Sequence, residues 1–287
     1  MKRLVYLLIP LLLVSCSDFF GTSTKKGVTV RFRCGVDEQT KVNQVALSEV
    51  ATKLHVMVFD DYGNKCLSKI ITQTSDNPDF GEVTFTVNET GHYTAVAVAH
   101  SGPANASIES LSKVSFTVKD GLKNTDTFIK ASDFNVNLDE GDIETPAALL
   151  HRKSAMVRFI FSDTDFPDEL VKFRFKYTGG SANVNPTTGE GCTKSTQTEV
   201  RLRNDSNIYE IYTFPYNSDK GNLSVTIEGV SASDAILKTV TIEKVYVEAE
   251  YISEYTGSLM IPNTPSNGVG IVFMADSEWK GTYTYTF

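Results

Sequence analysis

Four cysteines and four histidines, with a scatter of carboxylates, are the residues of this 287-residue chain fit for covalent or acid–base chemistry. Their spacing removes most of them. His55, His92, His100 and His151 stand at no ligand spacing from one another, and His55 lies inside an apolar run, so it reads as a packed core residue. His92 follows Gly91 and is expected in a turn. There is no G-x-S-x-G, no P-loop, no H-E-x-x-H and no G-x-G-x-x-G. Asp60-Asp61-Tyr62-Gly63-Asn64 begins like a calcium loop, but Ile71 stands where the twelfth-position carboxylate is required, so a hairpin turn is expected instead. Asp163, Asp165, Asp168 and Glu169 read as solvated loop acids, and nothing selects a carboxylate pair for glycoside hydrolysis. Cys34, Cys66 and Cys192 are odd in number and lack a C-x-x-C pair, which supports neither a zinc site nor a disulfide framework. Isolated cysteines are commonly buried small hydrophobes, with a Cys34–Cys66 bridge as the alternative. These residues describe a protein that is not an enzyme and holds no metal or cofactor.

Cys16 differs because of what precedes it. Met1-Lys2-Arg3 is followed by an apolar run from Leu4 to Val14, broken by Pro10. Two cations and about ten apolar residues form a secretory signal, too short for a spanning helix of ~20 residues. The run closes on Leu13-Val14-Ser15-Cys16, which resembles the bacterial lipobox. In that pattern the thiol takes up lipid, the bond before it is cut, and Cys16 becomes the first residue. The covalent lipid on Cys16 is then the membrane anchor, since two or more acyl chains hold stably where one does not. Residues 1–15 are the expected signal peptide and 16–27 a lipidated tether. Its polar stretch from Ser17 to Gly27 reaches at most about 40 Å when extended. Without Lys2 and Arg3, 25 cations remain against 35 acids, a formal charge of −10. That balance and the lack of a basic, aromatic-interleaved cluster exclude nucleic acid as a partner.

From Val28 onward the pattern is strand after strand. Val28, Val30 and Phe32 alternate with Thr29, Arg31 and Arg33. The same period of two runs through Val83–Val87, Val114–Val118, Val157–Phe161, Val171–Tyr177 and Leu223–Ile227. Leu54–Phe59, Tyr93–Ala99 and Val269–Met274 are apolar on both faces and are expected as central strands. Helical spacing is scarce. Leu47 to Leu54 suggests one short helix and Ile108 to Leu111 a single turn. The fold class is all-β, with few short helices, arranged as two tandem β-sandwiches. The acidic segment Asp139–Leu150 carries Gly141 and Pro146 and places the division, giving domains at 28–145 and 146–287. The polar stretch Gly179–Thr198 reads as a long loop, either a recognition element or an elaborated surface hairpin.

The last nine residues carry the other pattern with a use. Trp279, Tyr283, Tyr285 and Phe287 are aromatic, and Lys280, Thr282, Thr284 and Thr286 between them are polar. Such a strand either completes its own sheet or fills the groove of another molecule by β-augmentation.

The ordered set of motifs resembles the fimbrillins and fimbrial anchoring subunits (FimB-like and minor-fimbrium-anchor-like) of type V pili. The set runs through the lipobox, LHVMVFDDYGN, GHYTAVAVAHSG, HRKSAMVRFIF, YEIYTFPYN and VEAEYISEYTGSLM. The resemblance implies transthyretin-like sandwiches, display on the cell outer membrane, no catalysis, and other fimbrial subunits as partners. It further implies that a stalk subunit loses its first strand to an Arg- or Lys-specific protease. The terminal strand of a neighbouring subunit then fills the groove. An anchor keeps its first strand, here Val28–Phe32, and offers Trp279–Phe287. Arg31 and Arg33 are the cleavage sites if the chain polymerises, and this choice between anchor and stalk stays open. The alternative is a surface adhesin or tip subunit for a glycan or another ligand on a host or bacterial surface.

Overall fold

The computed structural model describes residues 27–36, 46–77, 79–117, 119, 121–122, 124–145, 148–216, 221–260 and 279–287. The signal peptide, Cys16, most of the tether and the strand expected over Val269–Met274 lie outside them. The elements of the first half are β1 (Val28–Val36), α1 (Leu47–Val50), β2 (Lys53–Asp60), β3 (Lys65–Thr72), β4 (Glu82–Val87) and β5 (Gly91–His100). They continue with β6 (Ser107–Ser110), β7 (Lys113–Ser115), β8 (Thr127–Val136), β9 (Ile143–Glu144) and β10 (Ala148–Arg152). One eight-stranded sheet runs β3-β2-β5-β8-β10-β1-β4, with β9 beside β1. The alternation read in β1 is obeyed: Val28, Val30 and Phe32 are buried while Arg31 and Arg33 face solvent.

The sheet curls around a core that includes Val30, Phe32, Leu54, Val56, Val83, Phe85, Phe128 and Leu150. Phe32 packs edge-on against Phe85 at 6.1 Å and Phe134 at 5.2 Å. The other face of β2, β5 and part of β8 is covered too, which is why β2 and β5 are apolar on both sides. There Met57, Phe59, Val96, Val98 and Ile129 meet Ile108, Val114, Phe116, Val184 and Phe214. The helical turn expected at Ile108–Leu111 is therefore strand β6, whose Ile108 is held against this face by pairing with Val114. His92 lies within β5 opposite Asn135, not in a turn. His55 is buried, bonded to the Ala106 carbonyl at 2.8 Å and the Ser68 hydroxyl at 3.0 Å. The hairpin at Asp60–Asn64 forms as expected, with the Asp60 carboxylate accepting from the Tyr62 and Asn64 amides at 2.9 and 2.8 Å. All three described cysteines are free, and burial pushes the Cys34 thiol up to about 12.

The second half comprises β11 (Ala155–Phe161), β12 (Leu170–Ser181), β13 (Asn183–Val184), β14 (Lys194–Leu202) and β15 (Ile208–Thr213). It ends with β16 (Gly221–Ser231), β17 (Ile236–Val247), β18 (Tyr251–Gly257) and β19 (Gly281–Thr286). Sheets β15-β11-β18-β19 and β14-β12-β16-β17 enclose a core that includes Val157, Phe159, Phe161, Phe173, Phe175, Tyr177, Val225 and Ile227. Asp163 turns inward and accepts from the Ser258 hydroxyl and from the Leu259 and Met260 amides, at 2.6 to 3.0 Å. It fixes the chain leaving β18 instead of standing as a solvated loop acid.

Two boundaries differ from the sequence reading. Residues 148–152, placed there in the second sandwich, form β10 in the first sheet between β8 and β1. Ala148 and Leu150 alternate into the first core, and a period of two does not tell which sheet a strand joins. The loop expected over Gly179–Thr198 is half strand, because β12 runs through a bulge to Ser181 and β14 begins at Lys194. Between them β13 pairs with β7, Val184 opposite Val114, and so ties the second half to the first.

Because Phe32 fills a site between two aromatic rings, Phe32→Ala is expected to cost about 3–5 kcal/mol. Arg31→Gln and Arg33→Gln break only exposed ion pairs and are expected to cost about 1 kcal/mol or less. Urea unfolding of the three variants measures both; equal losses would mean that β1 is not held by its inward face.

Candidate functional site: the first and last strands

Strand β1 is paired along both edges. Six residues, Val28 to Arg33, run antiparallel to β4. On the other edge Val30 and Arg31 pair with β9 and Cys34 to Val36 pair with β10, both parallel. Arg31 and Arg33 are exposed mid-strand, where Arg31 pairs with Glu144 at 3.3 Å and Arg33 with Glu82 at 3.2 Å. The Arg31 carbonyl accepts bonds from both the amide and the hydroxyl of Thr145, at 3.1 and 3.0 Å. A protease acting after Arg31 must bring that carbonyl into an oxyanion hole, so both bonds and the local ladder have to break first.

Strand β19 is held differently. It pairs parallel to β18 along one edge, from Tyr251 opposite Gly281 to Thr256 opposite Thr286. Its other edge has no strand partner among the described residues. Tyr285 stacks on Tyr255 at 4.5 Å, and Phe287 meets Phe159 and Phe161 edge-on at 6.4 and 6.3 Å. Gly257 leaves the room for Phe287, since a Cβ there would collide with its ring and carbonyl. Tyr283 lies against Tyr246 and Tyr251, and the Tyr283 and Tyr246 hydroxyls both donate to Glu248, at 2.9 and 2.6 Å. Burial, then the Glu248 carboxylate, hold both phenols well above their usual range, so they stay donors. The three aromatic side chains are only half-buried, whereas Val30 and Phe32 of β1 are 0% and 3% exposed. A strand with one edge paired and one face half-wet opens at lower cost than a strand closed on both.

Trp279 precedes β19 and departs from the single aromatic face expected of the terminal segment. It is buried with Met156 and Ile252 in a small cluster of its own. Its ring lies 4.1 Å from the Arg152 guanidinium, which also sits 4.7 Å from the Phe128 ring. Arg152 forks onto Asp126 with bonds of 2.8 and 2.7 Å, and Asp126 also accepts from the Ser154 hydroxyl at 2.9 Å. The clamp joins the terminal segment to β8 and β10 of the first sheet. Sequence reasoning missed Arg152 and Asp126; the only signal was a basic pair before a strand, Arg152-Lys153, with no sign of its partner 26 residues upstream. Cys16 lies outside the described residues.

A family model described as fimbrillin-A associated anchor proteins Mfa1 and Mfa2 matches residues 15–265. No curated protein is similar enough to match. Among solved structures, a candidate polysaccharide-binding protein from Bacteroides thetaiotaomicron aligns with TM-score 0.50 and 11% identity, covering 74% of this chain and 80% of that one. The fimbrial anchor protein Mfa2 from Porphyromonas gingivalis aligns with TM-score 0.45 and 14% identity over 75% and 82%. A fimbrial assembly protein from Parabacteroides distasonis gives 0.45 and 11% over 81% and 91%. At these identities the likenesses concern the fold.

Trp279 is the only tryptophan in the chain, so its emission reports the docking of the terminal segment. Arg152→Ala leaves Asp126 without its cation and Trp279 without its cover, at a cost of about 3 kcal/mol. The expected result is a red-shifted emission in a protein that remains folded by near-ultraviolet circular dichroism. Unchanged emission would mean that Arg152 does not hold the segment.

Proposed function

The chain belongs to the fimbrillin-A associated anchor proteins Mfa1 and Mfa2, and on that premise we propose that it is a non-enzymatic fimbrial anchor of the outer membrane. Lipid on Cys16 holds it to the membrane, the tether leads into a first strand that is never removed, and the terminal strand joins the fibre. The observation that carries this reading is the position of β1. A strand paired on both edges, with Val28, Val30 and Phe32 in the core, is a poor protease substrate and a good load-bearing element. The Arg31 carbonyl in particular is already occupied by Thr145.

The terminal strand supplies the link to a fimbrial subunit. Its ladder to β18 uses one edge only, and its aromatic face is half-buried. Leaving β18 costs that ladder, the Tyr285–Tyr255 stack, the Phe287 contacts with Phe159 and Phe161 and the Tyr283–Glu248 bond. Entering a partner's open groove returns a ladder on two edges and buries the same rings more fully, which favours donation. The partner is therefore a subunit that lacks a strand of its own.

Deletion of residues 279–287 is expected to leave a lipidated protein on the cell surface that no longer retains fimbriae, which are shed into the medium. Electron microscopy with immunoblotting of cells and medium measures this. Fimbriae that remain attached at normal length would show that this strand is not the link.

A further inference from the structure

Apart from the two strands, the segment 185–192 between β13 and β14 has a role still unassigned. It lies beside the turn between β6 and β7, where the Thr187 hydroxyl donates to the Leu111 carbonyl at 3.0 Å. Beneath it is a cleft of about 370 Å³ whose walls come from both halves of the chain. That volume suits a small molecule. Its apolar surface includes Leu111, Ala131 and Pro186, and its polar groups include Lys130, Asp133, His151 and Lys153.

The charges in this cleft are unbalanced. Asp133, its only carboxylate, accepts from the Thr94 hydroxyl at 2.7 Å. The ammonium groups of Lys130 and Lys153 form no ion pair with any described residue. Glu250 attracts Lys153 from further away but is itself paired with Lys280 at 2.5 Å. Burial lowers the pKa of Lys153; Glu250 opposes that shift, while Lys280 and Lys130 add to it. The stem of Lys153 is also in close contact with the segment above it. Gly189, at φ +82°, packs so closely on it that a Cβ would come within 2.6 Å of the lysine Cδ. A partly buried cation kept without a counter-ion costs stability, and an anion supplied from outside removes the cost. In a chain of formal charge −8 this is a local exception.

We propose that this cleft binds a small organic oxyanion, a carboxylate or a phosphate ester carried on a body of about the size of one sugar. Lys153 meets the anionic group, Lys130 adds to the positive field around it, and Leu111, Ala131 and Pro186 pack against the body. The site is formed only when β13 pairs with β7, so it belongs to the assembled two-sandwich chain. The inference does not rest on the anchor reading, although the terminal segment bears on Lys153 through Lys280, which is paired with Glu250.

Isothermal titration of the full mature chain with glucuronate, glucose 6-phosphate and uncharged glucose tests it. At least one of the two anions is expected to bind and glucose not to. Binding of glucuronate alone identifies a carboxylate site, and of glucose 6-phosphate alone a phosphate site. Lys153→Met keeps the apolar stem and is expected to weaken binding about tenfold, Lys130→Met to weaken it less, and Lys153→Arg to retain it. Rising chloride is expected to weaken binding to the unaltered protein, a readout that needs no variant. The proposal is overturned if neither anion binds, if glucose binds as well as they do, or if Lys153→Met leaves the affinity unchanged.

Discussion

Strand β1 sits between β4 on one edge and β9 and β10 on the other, and the first sheet is continuous only because it is there. Without it, β4 has no partner in the sheet and β10 is left at an edge. Val28, Val30, Phe32 and Val36 would also leave the core, and with them the packing of Phe85 and Phe134. The residues nearest the tether are thus among the most firmly held in the molecule. The ladders to β4 on one edge and to β9 and β10 on the other hold it from both sides. That is the arrangement expected of an element that transmits force.

The other end of the chain is attached by different physics. β19 is fixed by one parallel ladder, by half-buried tyrosines and by the clamp of Trp279 on Arg152. Arg152 is shared, since its guanidinium lies over Phe128 of β8 and forks onto Asp126. The core around Phe116, Val184 and Phe214 and the β7–β13 pairing join the same two halves. The two halves therefore meet through a packed, hydrogen-bonded junction. A strand that donates to a partner has to be separable, and a strand that carries the membrane link has to be permanent. On the proposed anchor role, β19 would be the first kind of strand and β1 the second.

Much of this was legible from period-two patterning. The alternation in Val28–Phe32, Val83–Val87 and Val157–Phe161 identified strands and their inward faces, and double-sided apolarity marked β2 and β5 as covered on both faces. What the pattern does not encode is the neighbour. Ala148–Arg152 reads equally well as the start of a second domain or as the end of the first sheet, and only its pairing with β1 and β8 decides. Trp279 shares the odd-numbered spacing of Tyr283 and Tyr285, yet it packs on the opposite face because it precedes the strand. Arg152 and Asp126, like Lys130 and Lys153, are brought together by non-local pairing, which one sequence does not reveal. The glycine-rich stretch 179–198 looked like a loop because glycine and serine are poor strand formers, whereas there they allow a bulge and close approaches.

The central claim is that β1 remains joined to Cys16, and mass spectrometry of the N-terminus of the native protein tests it most directly. The account predicts an acylated Cys16 continuous with Val28–Val36. A mature chain beginning at Phe32 or Cys34, after cleavage at Arg31 or Arg33, would contradict it.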